Sequence, residues 1–485
     1  MNSFVNALRE ETNWTKTENG ANALKSTNSS LVDLFGVIGA LRNRSEDDII
    51  SLFSKAFSED ALLATKMSFY NRNVRGGLGE RYTSRVIWKF LANNHPEIIR
   101  KNLDNIPYFG RWDDLYTFIG TPVEKDMWEF VKRTLNEDIE SMNNNKPVTL
   151  LAKWLKSVNS NSKETNMLGR YTRRSLGMRE DEYRKTLSKL RNYISVTEVK
   201  MSNNDWKSIN YAVVPSKAMN NYRNAFRKHD IEGFNEYINN VKTGTAKINS
   251  TTLYPYDIVE KYMYNVHRKD DVLEEQWKAL PNYVEGENNI LIMADVSGSM
   301  TGRPMATSVG LATYFAERNN GAFKNLFMTF SSEPSFIELK GSTLYEKIRN
   351  VMRSPWGMST NLELAFNLVL NTAVKNRVPY EDMPKSIIVI SDMSIDRCTD
   401  VRRWTFYDSM RDKFNRYGYD IPNIVFWNVN ARETVFHTKS NYKGVQLASG
   451  SSPSVFKAIL EGVDLTPYEM MVKTLSNPEY NRVVI

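Results

Sequence analysis

The residues best suited to chemistry lie in Asp295-Val296-Ser297-Gly298-Ser299, directly after the apolar run Ile290-Leu291-Ile292-Met293-Ala294. A carboxylate and two hydroxyls at alternate positions of a tight turn can aim three hard oxygen donors at one point. Such donors suit Mg2+ or Mn2+ rather than zinc, which prefers nitrogen and sulfur. Two later stretches supply more of the same. Gly357-Met358-Ser359-Thr360-Asn361 precedes a helical pattern, and Ser386-Ile387-Ile388-Val389-Ile390 runs into Ser391-Asp392. Asp295, Ser297 and Ser299 are therefore candidate metal ligands, and these two later stretches could complete the shell. Nucleophilic catalysis finds no such support. His95, His229, His267 and His437 are far apart, and no Ser-His-Asp or Cys-His arrangement is visible. A phosphatase built on two aspartates would place the second where Ser297 stands. The expectation is a protein that is not an enzyme and takes no small-molecule substrate.

Short apolar runs bounded by turn residues read as buried strands of a parallel sheet, and open α/β sheets hold their ligands just beyond the strands' C-terminal ends. Strands and helices alternate after residue 288. A helix is predicted over 304–318, then a hairpin from Leu326–Phe330 and Phe336–Leu339 around Ser331-Ser332-Glu333-Pro334. Helices over 342–352, 401–417 and 453–461 and strands over 423–429 and 445–447 complete a doubly wound α/β pattern.

Upstream the pattern is helical. Leu31, Leu34, Phe35, Ile38 and Leu41 recur at one-face spacing after Ser29 and Ser30, and Ile49, Ile50, Phe53, Ala56 and Phe57 do so after Ser45. Short helices with short joints and no clean period predict an irregular, HEAT-like helical array. The expected architecture is α + α/β. A polar N-terminal arm spans 1–30 with Trp14 as its anchor, a helical module spans 31–280, and the α/β domain spans 286–485.

The chain has 485 residues and a net charge of +8. Residues 151–250 hold 19 Lys and Arg against 9 Asp and Glu, a net +10 that leaves −2 elsewhere. A basic block in a balanced chain is the footprint of a polyanion binder or an ordinary solvated surface. Arg72, Arg75, Arg81 and Arg85 surround a Gly76-Gly77-Leu78-Gly79 loop, which reads either as a phosphate contact or as a helix–helix joint. Lys153, Lys156, Arg170, Tyr171, Arg173, Arg174 and Arg179 form a denser run, which reads either as a surface for phosphates and unpaired bases or as an ordinary amphipathic helix. The single cysteine, Cys398, excludes intrachain disulfides and fits a reducing, cytoplasmic setting. No apolar stretch reaches the ~18 residues of a membrane span.

Asp-x-Ser-x-Ser, the Thr360 loop and Asp392 together resemble the metal-ion-dependent adhesion site of von Willebrand factor A domains. The resemblance implies that Ser297, Ser299 and Thr360 touch the metal and that Asp295 and Asp392 bind through water. It also implies an open position for a protein partner's acidic group. The chain departs from that pattern at Met393, where many such domains carry glycine. Arg75-Gly76-Gly77 to Arg85, the Trp112 segment and the Val214–Val259 stretch are similar to the helical module of TROVE-type, Ro autoantigen-like proteins, and more closely to an uncharacterised branch with the same layout. That resemblance implies a ribonucleoprotein component holding RNA on its helices, structured or single-stranded. The alternative is an assembly module of von Willebrand A type, working beside an ATPase without RNA.

Overall fold

The computed structural model describes residues 3–284, 289–330, 333–354, 356, 359–397, 404–462 and 464–485. From Ser30 to Lys278 the described chain is helical, with helices ranging from Leu151–Trp154 to Glu124–Asn143. The expected caps form. Ser29 accepts from the Val32 N–H, and Ser45 from the Asp48 N–H, satisfying donors that a first helical turn leaves free. The single helix expected over 31–41 instead tightens into a 3-10 turn at Ile38–Asn43. Gly39 must pass so close to the backbone of Ser449 and Gly450 that a Cβ would sit 2.8 Å from it.

The N-terminal arm is not an extended loop. It forms a helix, Ser3–Thr12, and then a hairpin of β1 (Trp14–Lys16) and β2 (Asn22–Leu24). Gly20 supplies the turn's left-handed backbone at φ +89°.

After residue 288 come β3 (Ile290–Asp295), β4 (Leu326–Phe330), β5 (Ser335–Glu338), β6 (Ser386–Ser391), β7 (Asn423–Asn428) and β8 (Val445–Ser449). They form one sheet in the order β5-β4-β3-β6-β7-β8, parallel except for β5 against β4. Counted within the sheet this order is 3-2-1-4-5-6, with its topological switch between β3 and β6. Both central strands are buried along their whole length, which explains their unbroken apolar sequences. The helix Arg303–Arg318 covers β3, β4 and β6, while Leu362–Asn376 packs on β4 and on Phe406–Arg416. The start of the helix expected over 401–417, and Cys398, lie outside the described residues.

The helical part and the sheet share one hydrophobic core, running from Ala21 to Val483. The helix Ser30–Val37 seats on β8, and Pro255–Tyr264 lies along Arg303–Arg318. A helix absent from the sequence reading, Pro467–Leu475, returns to pack on Ser30–Val37 and Ala61–Arg72. A smaller satellite core gathers Tyr211, Phe226, Phe234, Tyr237 and their neighbours inside the basic block.

Candidate metal centre and basic surface

Asp295 ends β3 and Asp392 directly follows β6, so the fold carries both carboxylates to the switch point. Both are buried. Asp295 Oδ1 accepts the Ser297 N–H at 2.9 Å, and its Oδ2 accepts the Ser391 hydroxyl at 2.6 Å. The Ser297 and Ser299 hydroxyls lie 3.2 Å apart. Asp392 Oδ1 accepts the Ser394 N–H at 3.1 Å, while its Oδ2 is buried without a hydrogen-bond partner. Burial pushes the Asp295 carboxyl up to about 7, helped by the charge of Asp392 and opposed by its hydrogen bonds. Asp392 is raised for the same first reason, with the nearby Ser299 hydroxyl the main influence opposing it. Asp295, Ser297, Ser299 and Asp392 thus converge.

Thr360 sits buried on the neighbouring loop, its carbonyl accepting the N–H groups of Leu362 and Asp396 at 3.0 and 3.1 Å. Gly357 and Met358 of the same motif lie outside the described residues. Met393 holds φ +67°, the left-handed region that favours glycine, and costs about 1 kcal/mol there. Met393 thus holds a left-handed backbone directly after Asp392, with its side chain buried.

Among the described residues no three His, Cys, Asp or Glu side chains gather as a metal cage. The donors here are two carboxylates and hydroxyls, all hard oxygen. Two buried carboxylates that repel each other, one with an orphaned oxygen, fit a divalent cation.

The basic candidates divide. Arg72 is buried and donates from Nε to Asp114 at 2.8 Å, so it cannot reach a polyanion; that expectation is corrected. Arg85 is largely committed, with Nε 2.7 Å from Asp114 and a guanidinium nitrogen 3.3 Å from Asp113. The glycine loop is a joint. A Cβ on Gly77 would lie 2.1 Å from the Tyr70 carbonyl, and one on Gly79 would lie 2.0 Å from the Tyr254 hydroxyl. Arg75 is exposed and donates to the Tyr108 carbonyl at 2.8 Å. Arg81 is exposed and has no ion-pair partner among the described residues. Its guanidinium is shifted down by partial desolvation and then by the like charge of Arg111.

Sequence reasoning missed Arg111 and Trp154. The Arg111 guanidinium stacks 4.1 Å from the Trp154 ring, and Lys153 lies 5.8 Å from the same ring. Lys156 sits 5.6 Å from the Tyr116 ring, and the Tyr116 hydroxyl is 2.9 Å from Thr172 Oγ1. That contact ties the helix Lys163–Ser175 to this face. On it Arg170 and Arg174 are exposed without ion pairs among the described residues. Tyr171 is held by Glu124, Arg173 donates to the Met178 carbonyl, and Arg179 lies 3.6 Å from Asp181. Beside this helix a cavity of about 530 Å³ is lined by Arg184, Lys185, Arg191, Ser157 and Ser188. Residues 110 to 156 carried no signal for the pairing of Arg111 with Trp154, because it joins a helix cap to a one-turn helix across 43 positions.

A family model described as Domain of unknown function (DUF2828) matches residues 17–182 and 134–289. Another, described as Domain of unknown function (DUF7788), matches residues 289–481. The chain is 28% identical over 515 residues to an uncharacterized protein of Acanthamoeba polyphaga mimivirus, covering 98% of this chain and 89% of that one. It is similar to the crystal structure of the Deinococcus radiodurans Ro (RSR) protein with a TM-score of 0.33 and 14% identity, over 89% of this chain and 93% of that one.

Proposed function

The chain belongs to the family described as Domain of unknown function (DUF2828), and from there we propose that it is a non-catalytic, cytoplasmic RNA-binding scaffold of Ro-like layout that docks a protein partner through a divalent metal. The observation that carries the RNA reading is a set of exposed, partly unpaired cations with rings among them. Arg170 and Arg174 are exposed without ion pairs among the described residues, while Arg81 and Arg111, the latter stacked on Trp154, share Asp113, and Lys156 lies over Tyr116. A phosphodiester chain supplies the missing negative charge, and its bases supply stacking partners. Among the described residues no helix is long and apolar enough to cross a membrane.

The strand order, the switch-point carboxylates and the left-handed Met393 support the reading of the sheet as a von Willebrand A domain. In that reading Ser297, Ser299 and Thr360 hold Mg2+ or Mn2+ directly, and Asp295 and Asp392 hold it through water. The ion would supply a Lewis-acid point for a partner's Asp or Glu. The protein's own part is to keep the donors dry, fixed and two negative charges rich.

A second reading, an assembly module without RNA, draws on the ion pairs that neutralise Arg72, Arg85 and Arg179. Binding of single-stranded and structured RNA across a salt series separates the two. RNA binding through this face loses affinity steeply with salt, and replacing Arg81, Arg170 and Arg174 together lowers the logarithmic slope by about 2 to 3. An undetectable, salt-independent response removes the RNA reading.

A further inference from the structure

The helix Glu180–Tyr193 sets Arg184, Ser188 and Arg191 on one face, at i, i+4 and i+7. That face lines the cavity of about 530 Å³. Ser157 and Asn159, from the loop after Leu151–Trp154, line it too, as do Val199 and Ser202 of the helix Thr197–Ser202.

The wall holds a charge without an opposite one. Arg191 is partly buried, and its guanidinium donates to the carbonyls of Ala152 and Leu155 at 2.8 and 2.7 Å and to the Ser157 hydroxyl at 2.8 Å. All three acceptors are neutral, and no carboxylate pairs with Arg191 among the described residues. Desolvation pushes this guanidinium down, opposed by the nearby Tyr183 and Tyr116. Its three bonds fix it in place and leave two of a guanidinium's five N–H groups uncommitted. A cation withdrawn from water among dipoles alone is destabilised, and an anion beside it relieves that.

The rest of the lining has the same sign. Arg184 and Lys185 are exposed and make no ion pair among the described residues. Asp181, the one carboxylate on the lining, lies 3.6 Å from Arg179. Three cations against one carboxylate leave 3 − 1 = +2. A phosphomonoester carries about −1.5 to −2 at neutral pH, whereas each phosphodiester link carries a single charge. The volume suits a small organic ligand, of which a phosphate group would fill only a part. Leu187 and Val199 give the remaining wall an apolar portion, and Ser157, Ser188 and Asn159 a hydrogen-bonding one, the pair of surfaces that a base and its sugar need.

We infer that this cavity binds a nucleotide by its terminal phosphomonoester, with Arg191 meeting the phosphate from the wall and Arg184 and Lys185 from the rim. Two sources carry that chemistry. The phosphorylated end of an RNA strand rests on the RNA reading and deepens it; a free mononucleotide stands without it. The face of Arg170 and Arg174 then follows a strand's diesters, and this cavity reads its end.

The test uses the full chain. Calorimetry compares AMP, phosphorylated at the 5′ or the 3′ position, with adenosine. AMP is expected to bind and adenosine to give no heat. Arg184→Gln combined with Lys185→Gln is expected to weaken AMP about tenfold or more, with an unchanged thermal melt. Arg191→Gln is expected to abolish binding; because it also removes internal hydrogen bonds, the exposed pair decides. Fluorescence anisotropy then compares a short RNA with and without a terminal phosphate. A preference for the phosphorylated strand that the paired substitution removes makes the strand end the source. Equal binding of the two RNAs, with AMP still bound, makes it the free nucleotide. AMP affinity unchanged by the paired substitution overturns the inference, as does a wild type that neither binds AMP nor prefers a terminal phosphate. The RNA reading survives both of those results, since it is tested by the salt slope carried by Arg170 and Arg174.

Discussion

The switch point of the sheet and the basic face of the helices are built on opposite plans. At the switch point a few side chains are buried, hydrogen-bonded from behind and locked by backbone N–H groups before anything binds. On the helices the candidates are mostly exposed and spread over several elements, and partly consumed, Tyr171 by Glu124 and arginines by Asp113, Asp114 and Asp181. The first plan concentrates free energy in single residues, so one substitution removes the function. The second distributes it, so single substitutions only grade it.

The largest effect that sharpens this contrast is at the metal. Asp295→Ala or Ser297→Ala is expected to weaken Mg2+-dependent partner binding about 100-fold while RNA affinity is unchanged. Calorimetry with Mg2+ and filter binding with RNA measure the two arms, and a parallel fall in both would mean that the surfaces are one. Arg72→Ala comes next, because it leaves Asp114 buried with half of its charge partners gone. Urea unfolding should show a loss of about 3 to 5 kcal/mol, and the salt slope of RNA binding should not move. An altered slope would return Arg72 to the binding face.

Titration separates the regions further. Burial pushes the His437 imidazole, under the Met393 carbonyl, down to about 4 from an ordinary 6.5. Its folded form is held neutral, so stability present above 6.5 is lost as pH falls toward 4, by about 3 kcal/mol. His437→Gln should flatten that acid limb. Asp33, in the helical part, is pushed up to about 6 by burial against its bonds to Thr27, and its sign is reversed. Its contribution is complete below 3.8 and is lost as pH rises through about 6. At the proposed metal centre Asp295, raised to about 7, likewise destabilises the protein as it ionises. Mg2+ at 100 times its Kd should therefore stabilise by about 2.7 kcal/mol above pH 7 and by less at pH 6, in thermal melts. The smallest effect belongs to Arg81→Ala, which should lower the salt slope of RNA binding by about 0.7 to 0.9 and leave stability alone.

What could be read from the residues follows the same division. Asp295, Ser297 and Ser299 are local in sequence, and a strand-terminal position is legible from the apolar run before it. The doubly wound pattern was legible for the same reason. Whether an arginine faces solvent is not local. Arg72 and Arg81 look alike in sequence, but Asp114 lies 42 positions from Arg72 and takes it inward. The first 30 residues read as a loose arm because their strand partners, Asp396 and Phe436, lie near the other end of the chain. Asn19-Gly20 was the one local sign of a turn there. His437 offered no spacing at all, since its role comes from burial and from what the fold sets beside it.

The end of the chain has its own consequence. Val484 and Asn102 exchange hydrogen bonds of 3.2 and 2.7 Å, the Asn105 amide donates to the Arg482 carbonyl, and Lys101 reaches the carbonyl of Ile485. Residues 17–24 are sewn to the loops of the sheet and residues 482–485 to the helices. A nick between the halves would leave two fragments that still recognise each other, and either fragment alone would be an adhesive half-core seeking its complement.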